Sequence, residues 1–459
     1  MYEINFDKPV KVHFIGIGGI SMSGLAEVLL DRHFPVSGSD RAESDLTRHL
    51  SELGADIHYP QSAANITDDI DCVVYTAAIH PDNPEFAAAK EKGIPMLTRA
   101  QLLGEIMKHY PNSVAVAGTH GKTTTSSMIS QIMLEGEKDP TLSIGGIFKA
   151  INSNIHVGNS DLFLTEACEY TNSFLQLYAK YSVILNVEAE HLDFFKDLAD
   201  IRKSFHQFAA DTKADGAVII NDEIPNYKEI VDGIKAKVIT VGFNEGADYH
   251  AEDITYDETG EARFKAFEYG EDLGEVVLSV PGRHNVGNAL AAIAVARELG
   301  FTMDQIKAGL KKFGGAKRRF EVKGKYHGAT IVDDYAHHPT EVHASLDAAL
   351  KYPHKRLIVV FQPHTYTRTK AFLGDFANAL SVADQVVLAQ IFPAREKDIY
   401  GVHSIDLCNK IRELGTPCEC FATFDEIEKF LSKNVIDGDL LITMGAGDVY
   451  KIGDDLLKK

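Results

Sequence analysis

The strongest chemical signal in the sequence is a glycine loop with a lysine and a threonine, Gly118-Thr-His-Gly-Lys-Thr123, set between an apolar run and a helical pattern. Glycines let backbone amides converge on phosphate oxygens, and the start of the following helix contributes its positive end. Lys122 supplies a charge for the β- and γ-phosphates, and Thr123 a hydroxyl for Mg²⁺. The spacing departs from G-x-x-x-x-G-K-[ST], because Val116 stands where the first glycine would be. We predict a nucleoside triphosphate site, with an ordinary strand-to-helix turn as the alternative.

Two acidic residues and a histidine follow other strand-like runs. Glu166 and Glu169 lie in TEACEY and His191 lies in EAEHLDFF, each just past a predicted strand. Ligand sites of α/β sheets collect at the carboxyl ends of strands, and Mg²⁺ prefers hard oxygen ligands. Each residue alone also fits a surface carboxylate or a capping histidine. Their arrangement around one nucleotide loop favours a metal site that Glu166 reaches.

The stretch DDYAHHPTE holds two aspartates and two histidines, Asp333, Asp334, His337 and His338. A zinc site is disfavoured, because adjacent carboxylates and adjacent histidines lack i, i+4 spacing and no thiolate accompanies them. We interpret the stretch as a polar active-site loop.

Two further polar segments belong to the same class. His364 and Arg368 lie in QPHTYTRTKAF, again after a strand-like run. Arg318 and Arg319 lie in a glycine-rich and basic hinge candidate, FGGAKRRFEV. The two arginines either stabilise phosphoryl charge or form a solvated basic turn.

The N-terminal run HFIGIGGISMSG is a second strand, glycine turn and helix pattern. Compared with the dinucleotide fingerprint, Gly16-x-Gly18-x-x-Ser21 lacks the third glycine, whereas Asp40 lies roughly 20 residues on, where a ribose-binding acid is expected. The amides of this turn predict a pyrophosphate site. A nicotinamide oxidoreductase is the alternative, but it would leave the lysine and threonine of the other loop without a role.

Strand, loop and helix patterns alternate along the chain, which predicts an α/β protein with parallel sheets. At 459 residues the chain is too long for one core, and we place domain boundaries near residues 106 and 315. A β-rich stretch of about residues 238–280 predicts an additional, smaller sheet in the central domain.

Composition excludes several classes of function. The chain holds 46 basic and 66 acidic residues, a net charge of −20, which argues against a broad nucleic-acid or anionic-membrane surface. No apolar run reaches the length of a membrane span, and no signal peptide is evident. The five cysteines form no CxxC pair, and Cys418 and Cys420 fit a strand better than a metal or redox site. We expect a cytoplasmic protein.

Nine motifs, taken in order, resemble those of the Mur ligases. They are GIGGISMSG, AGTHGKTTT, TEACEY, NVEAEHLD, PGRHNVGNALAA, RRFE, DDYAHHPTE, QPHTYTRT and MGAGD. The resemblance implies a Rossmann-like UDP-sugar domain (1–106), a P-loop-type ATP-binding domain (107–315) and a Rossmann-like amino-acid and closure domain (316–459).

The resemblance also implies an ATP-dependent amide-bond ligase of peptidoglycan precursor synthesis. ATP would phosphorylate the lactyl carboxylate of UDP-N-acetylmuramate, and an amino acid would attack the acyl phosphate. GIGG-x-x-MSG, DDYAHHPTE and QPH-x-YTRT are similar to the branch that adds L-alanine. The implied cofactors are ATP and two Mg²⁺ ions, for which Mn²⁺ is an implied substitute. The implied state is a monomer or homodimer without nucleic-acid binding or membrane insertion.

Roles for individual residues follow from the matching motifs. The implied ATP-binding residues are Gly118, Thr119, His120, Gly121, Lys122, Thr123, Thr124, His284, Asn285, Asn288 and Arg319. The implied UDP-sugar-binding residues are Gly16, Gly18, Gly19, Ser21, Met22, Ser23, Asp40, His80, His364 and Arg368. The implied metal ligands are Thr123, Glu166 and, for a second ion, His191. The implied catalytic residues are Lys122, Arg319, Asp334, His337 and His338, of which one histidine would orient or deprotonate the amine.

The sequence departs from the family pattern at two places. Where several Mur ligases carry a metal-bridging carbamylated lysine, this chain has His206, with Lys203 nearby but out of register. The alanine-adding branch is similar in this respect, so we expect no carbamate. In IFPAREKD, Arg395 stands where the family commonly has glycine, which leaves the contacts of Glu396 open. The competing functions are a murein-peptide ligase that attaches a tripeptide and a non-catalytic binding module.

Overall fold

The computed structural model describes residues 2–76, 78–191, 194–257, 260–394 and 396–459. The chain forms two compact units. The first contains Met1–His250, Phe267–Leu273 and Asn288–Gly309, and the second contains Ala251–Ala266, Gly274–Gly287 and Leu310–Lys459. Within the described ranges, no helix is long and apolar enough to cross a membrane.

The first unit begins with a five-stranded sheet. Its strands are β1 (Val12–Ile15), β2 (Val36–Ser39), β3 (Asp56–His58), β4 (Cys72–Tyr75) and β5 (Met96–Thr98). They pair in parallel in the order β3-β2-β1-β4-β5. The helices of this region are α1 (Ile20–Asp31), α2 (Asp45–Glu52), α3 (Pro84–Glu91) and α4 (Arg99–Lys108). All four residues of β1 are buried, as expected for a parallel strand covered on both faces.

A second sheet in the same unit carries the phosphate loop. Its strands are β6 (Asn112–Ala117), β7 (Thr141–Phe148), β8 (Ser153–His156), β9 (Leu162–Glu166), β10 (Tyr181–Ile184), β11 (Ala217–Asn221) and β12 (Lys237–Gly242). The order is β12-β11-β10-β6-β9-β7-β8, with only the β7–β8 pair antiparallel among these strands. The helices are α5 (Lys122–Glu135), α6 (Leu198–Ala210) and α7 (Tyr227–Ile230).

The strand order of this sheet positions the candidate site. Because β6 lies between β9 and β10 and all three run parallel, the loops that follow them meet at one edge. Those loops are the glycine loop, the segment after Glu166 and the segment that ends at His191.

The β-rich stretch predicted at about residues 238–280 forms strands next to this sheet. They are β13 (Tyr249–Tyr256), β14 (Glu261–Glu268) and β15 (Glu271–Pro281), followed by α8 (Arg283–Glu298) and α9 (Met303–Lys312). The first residues of β13 pair in parallel with β12, so they extend the parallel sheet at that edge.

The second unit contains a six-stranded sheet. Its strands are β16 (Glu321–Tyr326), β17 (Ala329–Asp334), β18 (Leu357–Phe361), β19 (Gln385–Leu388), β20 (Cys418–Cys420) and β21 (Leu440–Met444). The order is β16-β17-β21-β18-β19-β20, and only the β16–β17 pair is antiparallel. Its helices are α10 (Pro339–Lys351), α11 (Tyr366–Ala371), α12 (Leu373–Leu380), α13 (Ser404–Glu413), α14 (Phe424–Asn434) and α15 (Tyr450–Leu456). The loops after β17, β18 and β21 therefore share an edge, which brings the DDYAHHPTE, QPHTYTRT and MGAGD motifs together.

Candidate active site

The glycine loop joins β6 to the N-terminus of α5. Gly118 and Gly121 have φ angles of 145° and 83°, which L side chains rarely adopt. A Cβ on Gly121 would also lie 2.8 Å from the amide oxygen of Asn288, so the loop approaches α8 closely. Among the residues that the structure describes, none caps α5 at Gly121 with its side chain. The loop therefore has the backbone geometry of an anion-binding turn at a helix N-terminus.

Lys122 is bound in the loop and paired with a buried carboxylate. Its Nζ donates to the carbonyl oxygens of Gly118 and Thr119 and lies 3.0 Å from Oε2 of Glu169, whose side chain is 3% exposed. Burial alone would lower the pKa of Lys122, but the charge and hydrogen bond of Glu169, together with the nearby Cys168 and Glu166, outweigh burial and raise that pKa above its usual value. The ammonium therefore keeps its positive charge at neutral pH.

Glu166 is held by three donors at the end of β9. Oε2 accepts from the Thr123 hydroxyl at 3.1 Å, while Oε1 accepts from the Ser126 hydroxyl at 3.2 Å and from the Gly145 amide at 2.6 Å. The predicted pair of Thr123 and Glu166 thus lies together, and its oxygens form a hard donor set of the type that Mg²⁺ prefers.

Asn186, in the loop after β10, fixes the backbone of the glycine loop. Its Oδ1 accepts from the His120 amide at 2.7 Å, and its Nδ2 donates to the His120 carbonyl at 3.0 Å. The amide of Glu188 donates to the Thr119 hydroxyl at 2.9 Å. The loop conformation therefore depends on a neighbouring strand end.

His191 lies at the same edge as Lys122. Its Nε2 is 3.7 Å from Oε1 of Glu169, and its ring centroid is 4.6 Å from that of Tyr170. Its φ of 54° places it in the left-handed region. Glu169 therefore contacts both Lys122 and His191 and joins two of the predicted residues.

The N-terminal glycine loop is bound by the predicted acid. The amide of Gly18 donates to Oδ2 of Asp40 at 2.8 Å, and a Cβ on Gly18 would lie 2.8 Å from that oxygen. Gly16 has a φ of 82°, and Gly19 leaves α1 without a side-chain cap. These features fit a loop that closely approaches an anion.

The remaining predicted residues of this loop differ in exposure. Ser21 and His80 are exposed, whereas Met22 is 1% exposed and packs in the core. Ser23 is also buried, and its hydroxyl donates to the carbonyl of Ile20 at 3.0 Å. Met22 and Ser23 therefore present little side-chain surface to a ligand.

In the second unit, the two arginines of RRFE have different surroundings. Arg318 pairs with Asp333 at 3.0 Å and lies over the rings of Tyr335 and Tyr450 at 4.8 and 4.6 Å. Arg319 lies 3.6 Å from Glu341 and 5.2 Å from the Tyr335 ring. Arg318 is therefore held by close contacts within the second unit, whereas the contacts of the Arg319 guanidinium are longer.

Asp334 is buried and holds the DDYAHHPTE loop in place through hydrogen bonds. Its carboxylate accepts from the amides of Phe320 and Ala336 at 2.8 and 2.7 Å and from the hydroxyl of Ser345 at 2.9 Å. Burial raises the pKa of Asp334 above its usual value, against the charge of Arg319. The carboxylate joins the RRFE segment to the loop after β17.

The histidines of the second unit form a chain of contacts. His337 Nδ1 lies 2.9 Å from the Tyr335 carbonyl and 3.1 Å from Glu341, and its ring centroid is 5.7 Å from that of His364. His364 Nδ1 in turn accepts from Arg368 at 2.9 Å. The buried His338 is the N-cap of α10 and accepts from the Thr340 amide. Of the two candidate histidines, His337 is the more exposed.

The predicted adenine-side residues lie at the start of α8. The side-chain amide of Asn285 donates to the Pro281 carbonyl at 2.7 Å, and a Cβ on Gly282 would lie 2.6 Å from the ring of His284. His284 is exposed, and Asn288 is the residue that contacts the glycine loop.

The two departures from the family pattern have structural counterparts. His206 lies on α6, where its Nδ1 donates to the Ile230 carbonyl at 3.0 Å, and Lys203 is exposed. The contacts of Glu396, which the sequence did not indicate, are made with the start of α11. Its carboxylate accepts from the Thr367 amide at 3.0 Å and from the Thr367 hydroxyl. Arg395 lies outside the described residues.

Three residues of the site were missed by the sequence analysis: Ser126, Gly145 and Asn186. Ser126 lies one helical turn after Thr123, which is a signal that spacing provides. Asn186 opens the quoted motif NVEAEHLD, and Gly145 belongs to a glycine pair inside β7, a strand that was not predicted. Glycine inside a strand often marks a close approach, here by Glu166.

Three family profiles match the chain in order. The Mur ligase family catalytic domain matches residues 11–111, the Mur ligase middle domain matches 116–296, and the Mur ligase glutamate ligase domain matches 318–447.

Relatives and solved structures match along nearly the full length. UDP-N-acetylmuramate–L-alanine ligases of Agathobacter rectalis and Lachnospira eligens are 61% and 56% identical over 459 residues, covering all of both chains. The crystal structure of the UDP-N-acetylmuramate–alanine ligase of Thermotoga maritima is similar with a TM-score of 0.79 and 29% identity, covering 98% of each chain. A murein peptide ligase of Psychrobacter arcticus, with a TM-score of 0.69 and 24% identity over 98% of each chain, shares the fold.

Proposed function

The chain belongs to the Mur ligase family, and we propose that it joins L-alanine to the lactyl carboxylate of UDP-N-acetylmuramate with conversion of ATP to ADP and phosphate, in peptidoglycan precursor synthesis. The observation that carries this proposal is the full-length identity of 61% to a ligase of that name. The Lys122 and Glu166 sites at one sheet edge support ATP-dependent chemistry.

A carboxylate and an amine do not condense in water without activation. Transfer of the γ-phosphoryl group to the carboxylate oxygen releases ADP and converts that oxygen into a leaving group. The amine of L-alanine then attacks the carbonyl carbon, an N–H proton is lost, and the C–O bond to phosphate breaks. The protein mainly has to orient the reactants and neutralise charge.

The glycine loop and Lys122 are proposed to bind the triphosphate. The amides at the start of α5 face the phosphates, and the ammonium neutralises charge on the transferring group. Glu169 and the carbonyl oxygens of Gly118 and Thr119 hold Lys122 in place. Thr119, His120 and Thr124 are proposed to line the same loop, and His284, Asn285 and Asn288 the adenine side.

The residues around Glu166 fit a magnesium ion. Its carboxylate and the Thr123 hydroxyl provide two adjacent hard oxygens at a phosphate loop, and His191 lies at the same edge for a second ion. Bound Mg²⁺ neutralises phosphate charge and orients the triphosphate. Mn²⁺ takes similar oxygen ligands and is proposed as a substitute.

The N-terminal loop with Gly16, Gly18, Gly19 and Ser21 is proposed to face the diphosphate of the UDP sugar, with Asp40 and His80 near the nucleoside. His364 and Arg368 are proposed to supply a histidine and a cation for the sugar nucleotide. Arg319, Asp334 and His338 are proposed to shape the region where the amine reacts. His337, which lies 3.1 Å from Glu341, is proposed to orient or accept a proton from that amine.

We also propose domain boundaries near residues 106 and 315, a monomeric or homodimeric state and a cytoplasmic location.

A substrate panel tests the function. Phosphate release is measured with ATP, Mg²⁺ and every pairing of UDP-N-acetylmuramate or UDP-N-acetylglucosamine with L-alanine, glycine, L-serine or the tripeptide of a murein-peptide ligase. The proposal requires release that depends on both UDP-N-acetylmuramate and L-alanine. Equal turnover with the tripeptide, or none with L-alanine, would overturn it.

A further inference from the structure

The first unit contains a cavity that the residues discussed above do not line. It has a volume of about 270 Å³ and lies between the start of α4 and the segment Thr171–Gln176. Thr98, Arg99 and Gln101 line one side, while Asn172 and Ser173 line the other.

The walls of this cavity are well fixed. Thr98 and Gln101 form a capping box, in which the hydroxyl accepts from the Gln101 amide at 3.3 Å and the side-chain carbonyl accepts from the Thr98 amide at 2.8 Å. Further along α4, Gly104 contacts the backbone of Gln176 so closely that a Cβ there would overlap the carbonyl oxygen. The helix and the facing segment therefore meet without room for a larger side chain.

Arg99 contributes an uncompensated charge to the cavity. Among the described residues, its guanidinium has no hydrogen bond and no carboxylate partner. The side chain is partly buried, and burial lowers the pKa of Arg99 below its usual value. A partly buried guanidinium with five donors and no acceptor is costly unless an anion satisfies it.

The facing segment has an unusual backbone and lies close to the phosphate loop. Among the described residues, the buried Oδ1 of Asn172 has no hydrogen-bond partner. Thr171 and Asn172 have φ angles of 55° and 57°, a conformation that is costly for non-glycine residues and recurs at ligand sites. The amide of Asn172 also donates to the carbonyl of Glu169 at 2.9 Å. The cavity wall is thus joined directly to the residue that pairs with Lys122.

We propose that this cavity binds the lactyl carboxylate end of the acceptor, with the guanidinium of Arg99 on the carboxylate. This inference rests on the proposed function. Arg99 binds carboxylates in a planar, bidentate manner, which fixes the direction of the attacking oxygen. Phosphoryl transfer needs that oxygen in line with the γ-phosphate at the adjacent loop.

Two ligands that differ only at the lactyl group distinguish binding of Arg99 to the carboxylate from binding to the rest of the UDP sugar. UDP-N-acetylmuramate and UDP-N-acetylglucosamine share the uridine, diphosphate and acetamido sugar, and only the first carries the carboxylate. Calorimetric titration of the full chain with each ligand is compared for the wild type, Arg99→Met and Arg99→Lys. Lys90→Met, an exposed change of the same charge in the same sheet region, is the matched control.

Arg99→Met should weaken UDP-N-acetylmuramate binding by roughly tenfold to a hundredfold, the usual effect of a charged hydrogen bond. Arg99→Lys should lose less, and UDP-N-acetylglucosamine binding should change by less than about threefold. An equal loss for both ligands would place Arg99 on the diphosphate, and no loss for either would remove it from the site. Each of those results overturns the proposal.

Turnover of the wild type with UDP-N-acetylmuramate and L-alanine is recorded in parallel. If the wild type turns over but Arg99→Met binds normally, only this inference fails. If the wild type does not turn over, the proposed function fails whatever the binding data show. Thermal unfolding of each variant shows whether a loss of binding reflects a loss of folding.

Discussion

Oε2 of Glu169 lies 3.0 Å from the ammonium nitrogen of Lys122, while Oε1 of the same carboxylate lies 3.7 Å from Nε2 of His191. One buried carboxylate therefore joins the start of α5 to the loops that follow β9 and β10. The arrangement holds a cation at a loop built for phosphate and keeps it charged.

Lys122→Ala should abolish ligation while leaving UDP-sugar binding intact. The ammonium is the positive charge nearest the glycine loop backbone, and its removal should lower kcat by at least about 10²- to 10³-fold. Phosphate release measures turnover, and titration with UDP-N-acetylmuramate measures binding. A normal kcat in this variant would contradict the assignment of the phosphate loop. Lys138→Ala, on an exposed residue beyond α5, is the control for loss of charge.

Gly145→Ala should weaken metal binding. A Cβ at this position would overlap the carboxylate of Glu166, so the backbone at residue 145 or the carboxylate has to move. Glu166 then loses its short hydrogen bond from the Gly145 amide. The Mg²⁺ concentration for half-maximal turnover should rise by roughly tenfold. In the control Gly146→Ala, the added Cβ lies 3.4 Å from Thr123 and should have a smaller effect. Equal Mg²⁺ dependence in both variants would remove Glu166 from the metal site.

Asn186→Ala should raise the KM for ATP more than the KM for L-alanine. The side chain binds both the amide and the carbonyl of His120, so its loss frees the glycine loop. Two lost hydrogen bonds correspond to roughly a tenfold change. The control Asn221→Ala also removes two hydrogen bonds, one to the Leu185 carbonyl and one from the Glu223 amide, on a strand two places from the loop. If the KM for ATP is equal in the two variants, Asn186 does not hold the glycine loop in its ATP-binding conformation.

Glu85→Gln should destabilise the protein at neutral pH. Its buried carboxylate lies 3.6 Å from His13 and also accepts from Ser39 and Asn65. Burial alone would raise the pKa of Glu85, but these contacts outweigh it and hold the pKa below its usual value. The carboxylate therefore contributes stability above its unfolded pKa, and that stability is lost as the pH falls through the lower folded pKa.

The midpoint of thermal unfolding measures this contribution. At pH 7 the midpoint of Glu85→Gln should fall by roughly 4–10 °C relative to wild type, and the difference should narrow below about pH 5. Glu91→Gln, exposed on the same helix α3, should leave the midpoint nearly unchanged. Equal midpoints for the two variants at pH 7 would show that the buried pair contributes no stability.

Local patterns in the sequence predict the elements that carry the site. Alternating strands and helices, the glycines of the phosphate loop and the acid after β9 each leave a signal within a few residues. The three-domain family resemblance and the parallel sheets are confirmed by the family profiles and the sheet pairing.

The contacts between elements could not be predicted in the same way. Lys122 and Glu169 are 47 residues apart, and His120 and Asn186 are 66 apart. They meet because β6 lies between β9 and β10, an order that periodicity does not reveal. Arg99 gave no motif signal, since its significance depends on the facing segment and on the missing partner.

The origin of the oxygen atoms in the released phosphate tests the central claim most directly. UDP-N-acetylmuramate labelled with ¹⁸O in its lactyl carboxylate is incubated with the protein, ATP, Mg²⁺ and L-alanine, and the phosphate is examined by mass spectrometry. If an acyl phosphate forms, each phosphate carries one oxygen from the carboxylate, and one amide to L-alanine forms per phosphate. Unlabelled phosphate, or phosphate released without amide, would contradict the account.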